Sequence, residues 1–456
     1  MIIDASVIEG GVIPPLLDKL INIHERGKPR FDRLRRYYTG EHDIMDRERL
    51  SSGTANTRVV CNHAKYITDI VQSFLVGNPV TYSASAECDI EALKDEYFKQ
   101  DIAAVDANIV KSMSIYGRAY ELIYSDGTAA ARSTVIDPRN AFVVYDNTAL
   151  ETPLFAVNYY KRFDLEGNCK GVVCYVYDRD TVTLYEGKAD SWASMSETEK
   201  RSHYFGEIPL IEYRNNDECQ GDFEQLIPLI DAYNTLQSDR VNDKEQFVDA
   251  FLFLKNIEID SDEAAKLRRE RILMGYEDSA AQYLSKVLSE TDVKVLRDDL
   301  KEDIHRFSMV PDLSDTSFGN NLSGVAIKYK LMGFEQMAKN KERYFSKGLK
   351  LRFTMYNTFL ALKSKMQVVD FSDVDIIFTR NLPVNELETA QMVNYLVGTV
   401  STETLLEQLD FVSDAKEEKK LVDDEKAKSY ADRVASVEGI ARGGGYGNGN
   451  RNFGKY

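Results

Sequence analysis

From Gly324 to Lys365 the chain carries one unbroken helical pattern, and no other feature restricts the possible folds as much. Ile327, Leu331, Phe334, Ala338, Phe345, Leu349, Phe353, Tyr356 and Leu360 recur at helical steps, forming one apolar stripe with a period of about 3.6 residues. Ser323 stands where an N-cap belongs, and no proline interrupts the run. At about 1.5 Å per residue such a helix spans about 60 Å, longer than a small domain is wide. Its charge is one-sided: Lys328, Lys330, Lys339, Lys341, Arg343, Lys347, Lys350, Arg352, Lys363 and Lys365 face only Glu335 and Glu342. These cations are expected on a solvated face opposite the stripe. Lys328 and Lys330 are the ones placed to approach a nucleic-acid phosphate backbone.

The segment before the helix, Pro311 to Gly324, is polar, with Asp312 and Asp315 as its only charges. It is longer than an ordinary connection between helices, which favours a functional or mobile loop. The chain as a whole has a formal net charge of −17, which argues against coating nucleic acid over its entire surface but leaves room for a local contact. Its 456 residues, 43% of them apolar, suffice for two or three cored domains. No run approaches the roughly eighteen apolar residues of a membrane span, and the acidic N-terminus lacks the basic start of a signal peptide. Cys61, Cys88, Cys169, Cys174 and Cys219 are odd in number and scattered, which suits free thiols in a reducing cytoplasm.

Along the chain, residues 1–29 read as an arm with a short helix around Leu16–Ile23. Helices are expected over His63–Val76 and Ile102–Tyr116. Residues 119–213 change texture: β-branched and aromatic runs at Ala141–Tyr145, Phe155–Tyr160, Val172–Tyr177 and Thr181–Tyr185 alternate with turn signals, giving an antiparallel sheet. Asp222 with Gln225 resembles a capping box opening a helix to Leu254, although Pro228 leaves its start open. The middle of that helix, Gln237–Gln246, is almost wholly polar and reads as solvated, bridging two bodies. A charged insertion with a helix near Asp262–Met274 follows, then a short helix Asp298–Met309. After the long helix come a strand at Asp375–Thr379 and three helices whose starts are marked by Asn385 with Glu388, by Ser401, and by Asp414 with Glu417. From Gly439 the Gly/Asn-rich composition predicts a disordered tail.

Chemistry is sparse. Gly319 and Gly324 are spaced like the glycines of a phosphate loop, but Val325-Ala326 replaces the Lys-Ser/Thr that would bind phosphate and Mg²⁺. Cys169 and Cys174, with His203, fall short of four convergent zinc ligands and read as buried thiols. Glu41-His42-Asp43 reads as a charged loop, and no histidine lies in a hydrolase motif. Neither a catalytic residue, a metal site nor a cofactor is expected.

Three pieces of the chain resemble portal proteins of tailed bacteriophages, in the branch typical of long, non-contractile-tailed phages of Gram-positive hosts. They are Tyr37-Tyr38-Thr39-Gly40-Glu41-His42-Asp43-Ile44, the pair Asn62–Ile67 and Gly77–Val80, and above all the stretch from Asp315 to Lys330. The resemblance runs in order from about residue 30 to 435. It implies an α+β portal fold with a helical stem, an α/β clip, a mixed wing with an antiparallel sheet and long spine helix, and a helical crown. The parts would be an N-terminal arm at 1–29, wing 30–221, stem helix 222–254, clip 255–297, stem helix 298–310, tunnel loop 311–324, spine helix and strand 325–384, crown 385–438 and tail 439–456.

The resemblance also implies a homo-oligomeric ring, usually of about twelve subunits, at one capsid vertex. Double-stranded DNA would pass through the ring during packaging and ejection. The implied partners are the terminase large subunit, scaffolding and major capsid proteins and a head-completion adaptor, with no membrane. The site would be the virion, after assembly in the host cytoplasm. Ser314, Thr316, Ser317, Asn320, Asn321 and Ser323 would face DNA, Lys328 and Lys330 would contact phosphate, and Arg268, Arg269 and Arg271 would dock partners at the clip. The competing readings are a nucleic-acid-processing enzyme or motor subunit, which an ATPase or Mg²⁺-dependent cleavage assay would reveal, and a scaffold without a channel.

Overall fold

The computed structural model describes residues 1–49, 55–85, 88–188, 190–247, 251–255, 280–284, 290–314, 324–380, 386–409, 412 and 414–443. In chain order the elements are β1 (Ile2–Ile3), α1 (Pro14–Thr39), α2 (His63–Val76), β2 (Thr81–Ala84), α3 (Glu91–Lys99) and α4 (Ile102–Tyr116). Then follow β3 (Arg118–Ser125), β4 (Ala131–Ile136), β5 (Ala141–Asp146), β6 (Pro153–Phe163), β7 (Cys169–Tyr177), β8 (Thr181–Gly187), β9 (Ser196–Ser202) and β10 (Leu210–Arg214). The chain continues through α5 (Ile227–Phe247), β11 (Phe251–Lys255), β12 (Ala280–Leu284), α6 (Glu290–Ser308), α7 (Gly324–Leu362), β13 (Val374–Ile377), α8 (Glu386–Leu396), α9 (Thr402–Leu406) and α10 (Ala415–Gly443). The class is α+β, with antiparallel sheets and many helices.

The strand-rich region forms two sheets rather than one. Six strands run in the order β1-β5-β6-β7-β8-β9, antiparallel except for β1, which pairs parallel with β5, and three more run β10-β3-β4. Alternation along β5 and β6 buries both faces of the larger sheet. Phe142, Val144, Phe155, Val157 and Tyr159 meet Leu17, Leu20, Ile21 and Trp192 on one side. Ala141, Val143 and Ala156 meet Tyr120 and Leu210 on the other.

α7 passes through two hydrophobic cores, which explains its length. Leu331, Phe334 and Ala338 pack with α1, α2, α5 and α6 through residues such as Phe31, Phe74, Ile230 and Ile304. Farther along, Phe345, Leu349, Phe353, Tyr356 and Leu360 pack with α3, α4 and the smaller sheet. Where α7 crosses β10, Gly348 permits the approach: a Cβ there would stand 2.2 Å from Cε1 of Tyr213.

The solvated-face expectation fails for two of the α7 cations. Arg352 is 0% exposed; its Nη1 donates to Asp106 Oδ1 at 2.6 Å and its Nε to Glu121 Oε1 at 2.8 Å. The Tyr213 hydroxyl donates to the same Glu121 carboxylate. One buried cation thus ties α4, α7, β3 and β10 together. Burial alone would lower the Arg352 pKa, but Asp106 and Glu121 outweigh it and the guanidinium is held well above its ordinary value. Lys341, also buried, donates to Ser114 Oγ at 2.5 Å and to Asp222 Oδ2 at 2.7 Å. Burial lowers the Lys341 pKa, with Asp222 opposing.

Other expectations are corrected. The N-terminal arm is a strand plus a single helix, α1, that continues through Pro29. Pro29 forfeits one backbone bond, but Leu17, Leu20 and Ile21 before it and Phe31, Leu34 and Tyr37 after it are anchored in separate cores, so both halves keep one axis. Asp222 is no helix cap: it accepts from Asn215 at 2.8 Å and takes Lys341, while α5 starts at Ile227 with Pro228 in its first turn. Leu254 lies in β11, which pairs antiparallel with β12, and α6 begins at Glu290 rather than Asp298. Ser401 and Asp414 do cap their helices, accepting from the amides of Thr404 and of Lys416 and Glu417, while Asn385 is outside the described residues. The segment assigned to the tail remains helical to Gly443. His42 is fully buried, stacked on Tyr37, rather than in a solvated loop, and Cys169 is only half-buried, unlike Cys174. The Asp262–Met274 helix falls outside the described residues.

Candidate functional site: the loop root between two paired helices

One line of the polar stretch of α5 is buried rather than solvated. Asn234, Ser238 and Asn242 recur every four residues, so they project along one line of the helix. An extended segment lies on that line. The amide of Thr57 donates to Asn242 Oδ1 at 2.6 Å, Val59 to Ser238 Oγ at 2.9 Å, and Cys61 to Asn234 Oδ1 at 2.8 Å. Asn234 also meets His42 Nδ1 at 2.8 Å, and His42 Nε2 donates to the Tyr37 carbonyl at 3.0 Å. All three ladder residues are buried. The helix thereby satisfies the backbone of a segment that pairs with no strand among the described residues.

α6 packs beside α5 and delivers the chain to the start of the polar loop. There the backbone is tied down from both neighbours. The Tyr66 hydroxyl on α2 donates to the Pro311 carbonyl and accepts from the Leu313 amide, both at 3.0 Å. On α6, His305 Nδ1 donates to the Val310 carbonyl at 3.0 Å; a carbonyl can only accept, so this nitrogen carries the proton. Lys301 forms an ion pair with Asp312, whose other oxygen accepts from the Ser314 hydroxyl at 2.6 Å and amide at 3.1 Å. Burial alone would raise the Asp312 carboxyl, yet the bonds from Lys301 and Ser314 prevail and hold it at about 2. The charge of Asp312 is therefore spent at the root rather than presented by the loop.

A cavity of about 240 Å³ lies at this root, lined by Cys61, Asn62, His63, Tyr66, Lys301 and His305 with Asp312 and Ser314. Burial, helped by the charges of His305 and Lys301, lowers the His63 pKa to about 4, so this imidazole is neutral near pH 7. Among the described residues no three His, Cys, Asp or Glu side chains are placed to hold a metal ion. What the arrangement provides is a fixed base from which the loop departs.

Of the residues expected to face nucleic acid, Ser314 is at this root, with its hydroxyl engaged by Asp312. Thr316, Ser317, Asn320, Asn321 and Ser323 lie outside the described residues, as do Arg268, Arg269 and Arg271. Lys328 is in the opening turns of α7, and Lys330 follows it with an exposed side chain. Sequence reasoning missed Tyr66, Lys301 and His305, which are far from the loop in sequence or on another element. The four-residue spacing of Asn234, Ser238 and Asn242 was a readable signal.

Among the described residues no helix is long and apolar enough to cross a membrane. A family model described as "Phage portal protein, SPP1 Gp6-like" matches residues 17–430. The portal protein of Bacillus phage SPP1 is 24% identical over 88% of this chain and 84% of its own length. The portal protein of Clostridium phage phiCD119 is 23% identical over 88% of this chain and 93% of its own. A solved structure titled as the neck of an empty GTA particle, computed with C6 symmetry, superposes loosely, with TM-score 0.46 and 10% identity over 76% of this chain and 88% of that one.

Proposed function

Because the chain belongs to the SPP1 Gp6-like family of phage portal proteins, we propose that it forms a closed ring at one capsid vertex, a channel for double-stranded DNA in packaging and ejection. The observation that carries this reading is the match over residues 17–430, which takes in the paired helices, the loop root and α7 together. In this reading α5 and α6 are the stem, and residues 248–289 between them form the clip, where Arg268, Arg269 and Arg271 meet the terminase large subunit and the head-completion adaptor. The two sheets with their flanking helices and α7 are the wing. The helices from Glu386 onward are the crown, and scaffolding and major capsid proteins surround the wing in the virion. The portal family is structural, and we infer that the chain acts without catalysis or cofactor.

Pro311–Gly324 is then the tunnel loop, with Thr316, Ser317, Asn320, Asn321 and Ser323 toward DNA. The charge pattern supports this. DNA carries one charge per about 1.7 Å, and each neutralised phosphate adds salt-dependent grip. In a ring of about twelve subunits, every exposed lysine becomes a ring of cations. A loop whose Asp312 is paired at its base and whose remaining side chains are mostly uncharged lets a polyanion slide. Lys328 and Lys330 are the nearest cations after it.

The test is packaging into empty capsids at several ionic strengths. Lys328→Gln with Lys330→Gln should alter translocation or retention of DNA while rings still form. Asn320→Lys with Asn321→Lys should slow passage, most at low salt. Packaging indifferent to both double variants at every ionic strength would leave the loop a plain connector.

A further inference from the structure

A groove of about 790 Å³ opens where the two sheets and the C-terminal end of α7 meet. That volume is in the range of small-ligand and short-peptide sites, roughly 300–1,000 Å³. Its floor is aromatic and aliphatic, including Tyr175, Tyr177, Val182 and Phe359. Arg201 and Lys363 are the cations on its lining, and no carboxylate lies among the described residues that line it. Arg201 reaches Glu199 only at 4.0 Å, with both side chains largely exposed, and Lys363 donates to the Ala129 carbonyl rather than to an acid. Both cations are thus available to an incoming carboxylate.

The rim is built to hold one aromatic ring outward. Tyr204 has φ of 63°, a left-handed conformation that costs a bulky residue, and its side chain is 67% exposed. The residues on either side are fixed. His203 Nε2 donates to the Asp178 carbonyl at 3.0 Å, and its Nδ1 accepts from the Phe205 amide at 3.3 Å. Phe205 is buried and stacks on Phe359 at 5.1 Å. Leu362, 65% exposed, lies across from it on α7. A strained, exposed tyrosine pinned between anchored neighbours above an apolar floor fits a binding role better than a packing one.

We propose that this groove is a docking site for a short extended peptide segment of another protein, carrying apolar or aromatic side chains next to Asp or Glu. The apolar side chains would enter between Tyr204, Tyr175 and Leu362, and the carboxylates would meet Arg201 and Lys363. Charge complementarity selects the acidic partner, and the concavity selects a segment rather than a flat protein face. This inference does not depend on the channel reading.

The test is selection of short random peptides displayed on filamentous phage against the full-length protein, with the Tyr204→Ala, Arg201→Glu double variant as counter-target. Both positions are on the rim and exposed, and Leu362→Glu serves as an independent third change if either variant misfolds. The selected peptides should combine apolar residues with Asp or Glu. In fluorescence anisotropy they should lose at least about tenfold in affinity on each single variant and weaken as salt rises. The proposal is overturned if nothing is enriched over the counter-target, if the winners are basic or uncharged, or if they bind all variants equally. Peptides that bind single subunits but not the assembled protein would also overturn it, since a second copy would then be the occupant.

Discussion

Replacing Arg352 by methionine should be among the most damaging single changes in this chain. The side chain is fully buried and supplies charge-assisted bonds of 2.6 Å to Asp106 and of 2.8 and 3.0 Å to Glu121. Without it two carboxylates share one unsolvated site, and removing one side of such a network costs about 3–5 kcal/mol. Adding Asp106→Asn and Glu121→Gln removes the stranded charges, so the triple variant should recover most of that loss. The wild-type network is itself imperfect, because Arg352 Nη2 is buried without a hydrogen-bond partner. Denaturant unfolding followed by far-ultraviolet circular dichroism measures both variants. The single tryptophan, Trp192, sits in the core of the larger sheet and reports separately. A loss under about 1 kcal/mol for Arg352→Met, typical of an exposed pair, would mean that the buried network does not hold these elements together. So would a triple variant less stable than the single one.

Gly348→Ala should cost about 1–3 kcal/mol or more, read from the same unfolding curves, because the new methyl would press on the buried Tyr213 ring that is bonded to Glu121. Tyr66→Phe removes both bonds that hold Pro311 and Leu313, worth about 1–2 kcal/mol locally, and hydrogen exchange at the Leu313 amide should rise about tenfold or more while global stability changes less. His24 and His63 are each lowered to about 4, chiefly by burial, so between about pH 6.5 and 4 the unfolded chain binds protons that the folded chain does not. Stability should therefore fall as pH drops through that window, by up to about 1.4 kcal/mol per pH unit for each histidine, and His24→Gln with His63→Gln should flatten the profile.

Elements with strong periodicity were legible in the sequence. The helices His63–Val76 and Ile102–Tyr116 fall at the expected bounds, and the stripe from Leu331 to Leu360 is buried along α7. What could not be read were features set by distant partners. Arg352 and Lys341 look like their exposed neighbours until Asp106, Glu121 and Asp222 arrive from other elements, since a helical pattern does not say which cation meets a carboxylate. Polar residues on α5 looked solvated because their partner is the backbone of residues 57–61, which carries no side-chain signature. Residues 1–29 read as a separate arm with a short helix, yet α1 runs on to Thr39 because its two halves are anchored in separate cores. At the candidate site the loop itself was visible as polar sequence. Its anchors, Tyr66 and His305, were not, because a single tyrosine or histidine at a distance carries no spacing signal.

Negative-stain electron microscopy of the purified protein, paired with native mass measurement, decides whether the chain closes into a ring. Closed rings with a central channel and a mass near about twelve times 51.8 kDa are expected, held by the same heterologous contact repeated around the axis. Particles of one or two subunits at every concentration and salt tried, with no ring in the images, would contradict it.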